Sequence, residues 1–388
     1  MREALRLARR YHFPPFPNPW VGCVVVKGGR AVGRGAHRAA GEPHAEIEAL
    51  REAGARARGA TLYVTLEPCC HFGRTPPCTE AIVRAGIRRV VYGLRDPNPE
   101  VAGQGGCALR ANGLEVAENV CIKECAALNE VYLKARRTGL PFVTLKVATS
   151  LDGKIATRTG DSKWVTDAAA RRAARWLRAQ HQAVLVGIRT VLADDPHLGP
   201  RLRGAPEPWR VVLDSKLRTP ASSRVVRSGR CVIATTNSAS REREKLLARC
   251  GAEIWRFNGR SVPLRPLLKR LASEGILSLM VEGGAEVLGS FFDAGLVDRV
   301  CWFVSPVIIG SHRSRAAVAG RGAARLAGAW RLRNVAVERT AGSLLIQGNL
   351  SRWALAAPAA RIQGRPRRLS SHRRVSASGN PPEISRHL

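Results

Sequence analysis

The chain predicts an α/β protein made of two successive units, each built on a mainly parallel sheet. Short runs rich in β-branched residues alternate with segments of helical periodicity, and the alternation restarts near Pro141. From about Ser351 the periodicity is lost, and Arg, Pro, Ser, Gly and Ala take over. The 388 residues, 45% hydrophobic and 24% charged, suffice for two ordinary cores and exclude wholesale disorder. Domains over residues 1–140 and 141–350 are expected, followed by a disordered basic tail over 351–388.

In the first unit, residues 1–15 read as a short helix. Leu5, Leu7 and Ala8 form its apolar side, and the prolines from Pro14 stop it. Residues 21–26 (VGCVVV) are a continuous β-branched run, as in a strand buried on both faces. Pro43 opens a helical stretch through His44, Ile47, Leu50 and Ala53; Pro suits a first turn because the N–H it lacks would be unpaired there. Residues 61–66 (TLYVTL) give a second strand, residues 79–85 a helix with Gly86 at its end, and residues 89–94 (RVVYGL) a third strand. Helices over 109–113 and 122–136 flank a short strand at 114–117.

In the second unit, residues 142–148 (FVTLKVA), 183–187 (AVLVG), 210–214 (RVVLD), 231–235 (CVIAT), 252–257 (AEIWRF) and 277–282 (LSLMVE) read as strands. Residues 167–180 are strongly helical with a basic face, and 264–274 and 285–294 are helices. Strands at 299–305 and 343–348 complete the unit.

Lys and Arg number 63 against 30 Asp and Glu, a net charge of +33. The excess is mostly Arg and is spread from Arg2 to Arg386, as on a solvated surface. No aromatic RNA-stacking segment accompanies it, and the Cys and His spacing is not that of a DNA-binding finger. Nucleic acid is therefore not an expected partner beyond weak binding by the tail, whereas phosphorylated small molecules suit the charge. No apolar run reaches the roughly 18–20 residues of a membrane span, and the opening MREALRLARRYHF lacks the apolar stretch of a secretory signal. Ten Cys are too sparse here for a disulfide scaffold, so a cytoplasmic protein with thiols free for metal is expected.

The first unit holds the most specific pattern. Pro43-His44-Ala45-Glu46 is followed by Glu67-Pro68-Cys69, and Cys78 lies nine positions after Cys69. One imidazole and two thiolates make a three-donor zinc site with the fourth position open, which separates catalytic from closed structural zinc. Cys78 just before a helix favours the thiolate. Glu46, about 200° from His44 around a helix, suits a proton shuttle beside the metal's water rather than a ligand. This is the zinc-deaminase arrangement, in which hydroxide attacks an aminopyrimidine carbon and Glu serves as acid and base. A closed structural site would need a fourth donor, for which Cys70 and His71 are at hand. The nucleic-acid deaminase pattern has Pro-Cys-x-x-Cys; here the second thiol comes later, and the intervening loop supplies a cation, Arg74, suited to a phosphate-bearing substrate. Cys121 and Cys125, one helical turn apart, read as packed core cysteines.

The segments PNPWVGCVVV, GEPHAEIEAL, YVTLEPCCHFGRTPPC and RDPNPEVAGQG follow one another as in the bifunctional deaminase–reductase family of riboflavin biosynthesis, which this chain resembles. LKVATSLDGKIA, GDSKWVT, LRAQ, TVLADDPHL, VVLDS, VEGGAEVLGSFFDAGLVD and SPVIIG resemble its reductase half, so the likeness covers about residues 4–350. The resemblance implies an N-terminal cytidine-deaminase-like domain and a C-terminal dihydrofolate-reductase-like domain. It implies deamination of 2,5-diamino-6-(5-phosphoribosylamino)pyrimidin-4(3H)-one, then NADPH-dependent reduction of the ribosyl chain to ribityl.

On the matched positions, His44, Cys69 and Cys78 become Zn2+ ligands and Glu46 the proton shuttle. Asn18, Arg74, Asp96 and Asn98 line the pocket for the phosphorylated pyrimidine. Ala148, Trp164, Thr190, Asp194 and Ser215 contact NADPH, and Gly284, Ala285, Glu286, Val287, Leu288, Gly289 and Ser290 hold its phosphate. The physics agrees there, since backbone N–H groups where a strand passes through glycines into a helix hold phosphate. Ser162, Arg178, Leu198, Arg201 and Glu282 hold the reductase substrate, with Arg178 and Arg201 as phosphate clamps. Asp194 and Glu282 are both candidates for the proton that accompanies the hydride. A homo-oligomer is expected. The chain departs from the family at Cys70, where Ser is common, at Gln182 and Gly199, and in its Arg-rich tail. Two other readings stand beside this one: a deaminase with a weak reductase half, and a zinc-containing nucleic-acid-binding protein.

Overall fold

The structure, a computed structural model, describes residues 1–72, 76–99 and 101–350. Its first half runs α1 (Arg2–Ala8), β1 (Gly22–Lys27), β2 (Arg30–Ala36), α2 (Ala45–Ala53), β3 (Thr61–Val64), α3 (Cys78–Arg84), β4 (Arg89–Tyr92), α4 (Gln104–Ala111), β5 (Glu115–Ala117), α5 (Ile122–Leu128) and α6 (Glu130–Thr138). The five strands are ordered β2-β1-β3-β4-β5. β3, β4 and β5 are parallel, while β1 is antiparallel to both neighbours. The sheet is thus mixed rather than mainly parallel, because residues 21–36 form a β1–β2 hairpin that the β-branched run alone does not announce.

β1 is buried on both faces as its sequence predicts. Val24 packs with Ala4 and Leu7 of α1, whereas Cys23 and Val25 pack with Ala45 and Ala49 of α2. Close approach of α2 to β2 depends on glycine. A Cβ at Gly33 would come within 2.1 Å of the Ala49 carbonyl oxygen, and one at Gly35 within 2.0 Å of that of Ala45. These glycines set the depth at which α2 presents His44 and Glu46.

The helix expected over 1–15 stops at Ala8. The following segment crosses to the second half, where Phe13 lies 5.5 Å from Trp176 and Gln180 Nε2 donates to the His12 carbonyl at 2.9 Å. The helix expected over 122–136 is broken at Asn129, whose amide side chain accepts from the Trp20 N–H at 2.8 Å and donates to the Trp20 carbonyl at 2.9 Å.

The second half runs β6 (Phe142–Thr149), α7 (Ala168–Ala179), β7 (Ala183–Gly187), α8 (Ile188–Asp194), β8 (Trp209–Leu213), α9 (Arg224–Arg227), β9 (Cys231–Thr236), α10 (Arg241–Arg249), β10 (Ala252–Phe257), α11 (Leu264–Ser273), β11 (Ser278–Gly283), α12 (Ala285–Asp293), β12 (Arg299–Val304), β13 (Arg333–Arg339) and β14 (Leu344–Asn349). Its nine strands are ordered β10-β9-β8-β7-β11-β6-β12-β14-β13. Seven are parallel, and β14 and β13 add an antiparallel edge. Leu185, Leu279 and Val281 face Leu271, Leu288 and Phe291, while Val184, Val186 and Met280 face Ala170, Ala174 and Leu177. Helices on both faces explain why these strands read as unbroken apolar runs. Asp167 caps α7 by accepting from the N–H groups of Ala169 and Ala170 at 2.7 and 2.9 Å.

α6 joins the halves. Glu130 pairs with Arg299, and the buried Lys134 with Asp298, whose Oδ2 also accepts from the Val143 N–H at 2.8 Å. No helix among the described residues is long and apolar enough to cross a membrane.

Candidate active sites

The first cleft, about 460 Å³, opens beside the N-terminus of α2. His44 is the N-cap of that helix, in extended backbone (φ −70°, ψ 158°). The helical-wheel angle between His44 and Glu46 therefore does not apply: only Glu46 is in the helix, buried in its first turn. Cys69 lies in the loop after β3 and Cys78 is the first residue of α3. His44 Nδ1 lies 3.2 Å from Cys78 Sγ and 3.5 Å from Cys69 Sγ, and the Cys78 N–H donates to Cys69 Sγ at 3.3 Å. The three donor atoms lie within 4.8 Å of one another. Among the described residues no fourth His, Cys, Asp or Glu joins them, so Cys70 and His71 stand outside the cluster. One imidazole and two thiols this close fit a zinc ion with an open position.

The electrostatics point the same way. Hydrogen bonding from Cys78, and then from His44, brings the Cys69 thiol down to about 4 against the effect of burial. Cys78 goes the other way, raised by that same bond and by burial, so its place at the start of α3 does not by itself favour the thiolate as expected; the proton shared by the pair rests on Cys78. Burial lifts Glu46 to about 7, despite the opposing charge of His44, a value suited to exchanging a proton near neutrality.

Asn18 and Asn98 line this cleft. Asn18 Nδ2 is 2.9 Å from His37 Nε2, and His37 Nδ1 is 3.1 Å from the Pro43 carbonyl oxygen, which orients the Asn18 amide. Asp96 lies behind the wall rather than in it. It accepts from the Asn98 N–H at 2.8 Å and the Tyr132 hydroxyl at 3.0 Å, and burial raises its carboxyl. Arg74 lies outside the described residues. Sequence reasoning missed Glu67, a buried carboxylate that accepts from the N–H groups of Asp96 at 3.1 Å and of Gly103 and Gly106 at 3.0 Å, and so anchors the loop after β4 beneath the cleft. It also missed His37, Tyr132 and Arg136, all in the wall.

The second cavity, about 650 Å³, lies at the carboxyl ends of the adjacent strands β7, β11 and β6, where open parallel sheets bind ligands. Of the sequence-selected residues, Ala148, Ser162, Thr190, Asp194, Glu282 and Gly284 line it, as do Ala285, Glu286, Val287 and Leu288 in the first turn of α12. Gly284, at φ +74°, is the N-cap of that helix.

The remaining residues lie elsewhere. Trp164 is 70% exposed beneath the Arg171 guanidinium, 4.6 Å from its ring centroid. The Ser215 carbonyl accepts from the Thr236 hydroxyl at 2.9 Å. Gly289 packs on the Ala319 carbonyl, and the Ser290 hydroxyl donates to the Glu286 carbonyl at 2.7 Å. Leu198 is buried and Arg201 exposed, and neither lines the cavity. Arg178 donates to both Glu282 oxygens at 2.5 and 2.8 Å and to the Gly199 carbonyl at 3.2 Å. Lys146, missed in the sequence, lines the cavity 3.5 Å from Glu282 Oε2.

Burial alone would raise Glu282, but Arg178 first and Lys146 second hold it at about 2. These ion pairs favour its charged form, and it shares the cavity with Asp194, the other carboxyl singled out for the proton. Gln182 is structural: it donates to the Gly275 carbonyl at 2.9 Å and accepts from the Leu277 N–H at 2.8 Å. The space of a Gly199 side chain is taken by His197 and Glu207. Cys125 is buried in an apolar cluster.

A three-donor metal cluster beside a buried carboxyl, joined to a nucleotide-sized cavity at the ends of parallel strands, defines a zinc deaminase fused to a reductase. Residues 1–94 match the cytidine and deoxycytidylate deaminase zinc-binding region, and residues 141–346 match the RibD C-terminal domain. The riboflavin biosynthesis protein RibD of Bacillus amyloliquefaciens is 45% identical over 83% of this chain and 88% of its own length. That of Escherichia coli is 43% identical over 80% and 88%. Acinetobacter baumannii RibD superposes with a TM-score of 0.83 at 38% identity, covering 90% of this chain and 98% of that one. A Thermotoga maritima diaminohydroxyphosphoribosylaminopyrimidine deaminase/5-amino-6-(5-phosphoribosylamino)uracil reductase gives 0.77 at 36% identity, covering 90% and 97%. The chain belongs to the RibD family. Its first half is cytidine-deaminase-like and its second dihydrofolate-reductase-like.

Proposed function

We propose that this chain catalyses two consecutive steps of riboflavin biosynthesis: hydrolytic deamination of 2,5-diamino-6-(5-phosphoribosylamino)pyrimidin-4(3H)-one, then NADPH-dependent reduction of the ribosyl side chain to ribityl. The observation that carries this reading is the clustering of His44, Cys69 and Cys78 beside buried Glu46 in an open cleft. His44, Cys69 and Cys78 would hold zinc, which would supply the Lewis acidity for a water molecule to ionise near neutral pH. Glu46 is placed to take one proton from the attacking water and pass it to the departing amine, so that ammonia leaves, water's oxygen takes its place and water's other proton ends on the ring nitrogen. Asn18, oriented through His37, and Asn98, fixed through Asp96, hold the pyrimidine ring, and Arg74 serves its phosphate.

In the second cavity NADPH supplies the hydride. Ala148, Thr190, Asp194 and the first turn of α12 from Gly284 to Leu288 bind it. Ser162 and the Lys146–Glu282–Arg178 cluster hold the sugar chain, and Asp194 and Glu282, both in the cavity wall, are the candidates for the proton that accompanies the hydride. We place the domain boundary between α6 and β6 and the protein in the cytoplasm. A homo-oligomer fits the edge strand β13, which leaves Val335 and Val337 exposed.

Zinc-loaded protein incubated with the diaminopyrimidine phosphate tests the reading by product mass. Without NADPH, amine is exchanged for oxygen only; with NADPH, two hydrogens are gained as well. No mass change in either tube would overturn both activities.

A further inference from the structure

Within the deaminase reading, the ring's amine must sit at the His44–Cys69–Glu46 end of the cleft. The phosphoribosyl arm then extends along the wall and brings a dianion with it. Among the described residues lining this cleft, Arg136 is the only Lys or Arg. α6 places it there. Tyr132 and Arg136, four apart, share the helix face that looks into the cleft, while Glu130 and Lys134 share the face paired with Arg299 and Asp298 of the other half. The Arg136 guanidinium lies over the Tyr132 ring, 5.3 Å from its centroid. Such stacking fixes a side chain that would otherwise lose rotamer freedom on binding. The Tyr132 hydroxyl is directed to Asp96. Among the described residues Arg136 makes no salt bridge: its guanidinium contacts the Tyr132 side chain, the Asp96 carboxylate behind the wall acts on it without pairing with it, and of the carboxylates lining the cleft, Glu46 lies at the metal end and Glu67 is held by backbone N–H groups.

We infer that Arg136 is a specificity-determining residue of the deaminase cleft, recognising the substrate's phosphoryl group from α6. It binds and does not take part in proton transfer. A guanidinium meets a phosphate with two parallel N–H donors, whereas an ammonium offers a point charge. Lys at this position should therefore retain part of the effect, and an isosteric apolar chain none.

The test compares wild type, Arg136→Met and Arg136→Lys as full-length zinc-loaded proteins without NADPH. Each is assayed on the phosphorylated diaminopyrimidine and on its dephosphorylated ribosyl counterpart. Arg136→Met should raise KM for the phosphorylated substrate about ten- to a hundredfold with kcat within about threefold, as for loss of a charge-assisted contact. KM for the dephosphorylated substrate should be unchanged, Arg136→Lys should fall between, and inhibition of the wild type by inorganic phosphate should weaken in Arg136→Met. An unchanged KM, an equal rise for both substrates, or a fall confined to kcat would overturn the inference while leaving the deaminase reading intact. Absence of turnover by the wild type would remove both together.

Discussion

Replacing Glu46 by Gln keeps the side chain's shape and removes its ability to exchange a proton. Deamination should fall about 10²- to 10⁴-fold in kcat, with zinc content and reduction of supplied deaminated intermediate unchanged; steady-state rates and metal analysis check this. Glu282 yields a prediction about pH. Its folded carboxyl sits at about 2, below its ordinary value of 4.5. A depressed carboxyl contributes stability that is present above the unfolded value and is lost as pH falls through the folded one. Wild-type stability to urea should therefore drop between about pH 4.5 and 2. Glu282→Gln should be less stable at neutral pH, because Arg178 and Lys146 lose their counter-ion, and should show a shallower drop across that window. Equal slopes would contradict the ion cluster. His44, Cys69, Cys78 and Glu46 were legible because ligand types at short spacings have few other uses. Glu67 and the Glu282 cluster were not, since partners such as Gly106 and Arg178 arrive from distant segments.

Among the elements, those with unbroken β-branched runs or strong helical periodicity were legible; β2, β13 and the helices α8, α9 and α10 were not, and α4 lies over Gln104–Ala111 rather than 109–113. β2 carries Gly33 and Gly35, which serve close packing and look like loop residues in sequence. β13 alternates exposed Val with Arg and Glu at a sheet edge, so little burial pattern marks it. α5 and α6 share one periodicity, and only the pairing of Asn129 with Trp20 separates them. α6 is also where the halves meet. Lys134→Met would leave Asp298 buried without its cation, at a cost of about 3–5 kcal/mol. We expect a lower melting temperature and a loss of deaminase rate along with reductase rate on heating, measured by calorimetry with parallel assays. A change confined to the reductase half would show that the helix does not couple them.

For the molecule as a whole, two α/β units were legible, but strand order was not: β7, β11 and β6 become neighbours through long crossovers that local pattern cannot specify. That order brings Lys146, Glu282 and Gly284 to one cavity, while the glycines of β2 and the loop anchored by Glu67 build the other cleft. The expected tail over 351–388 lies outside the described residues. Everything in the first cleft depends on one metal ion with a free coordination position. X-ray absorption at the zinc edge of the full-length protein measures this directly. It should show one zinc per chain with two sulfur neighbours near 2.3 Å, one imidazole nitrogen and one further light oxygen donor. Three or more sulfurs, a second imidazole in place of the oxygen, or no bound zinc would contradict an open, hydrolytic site.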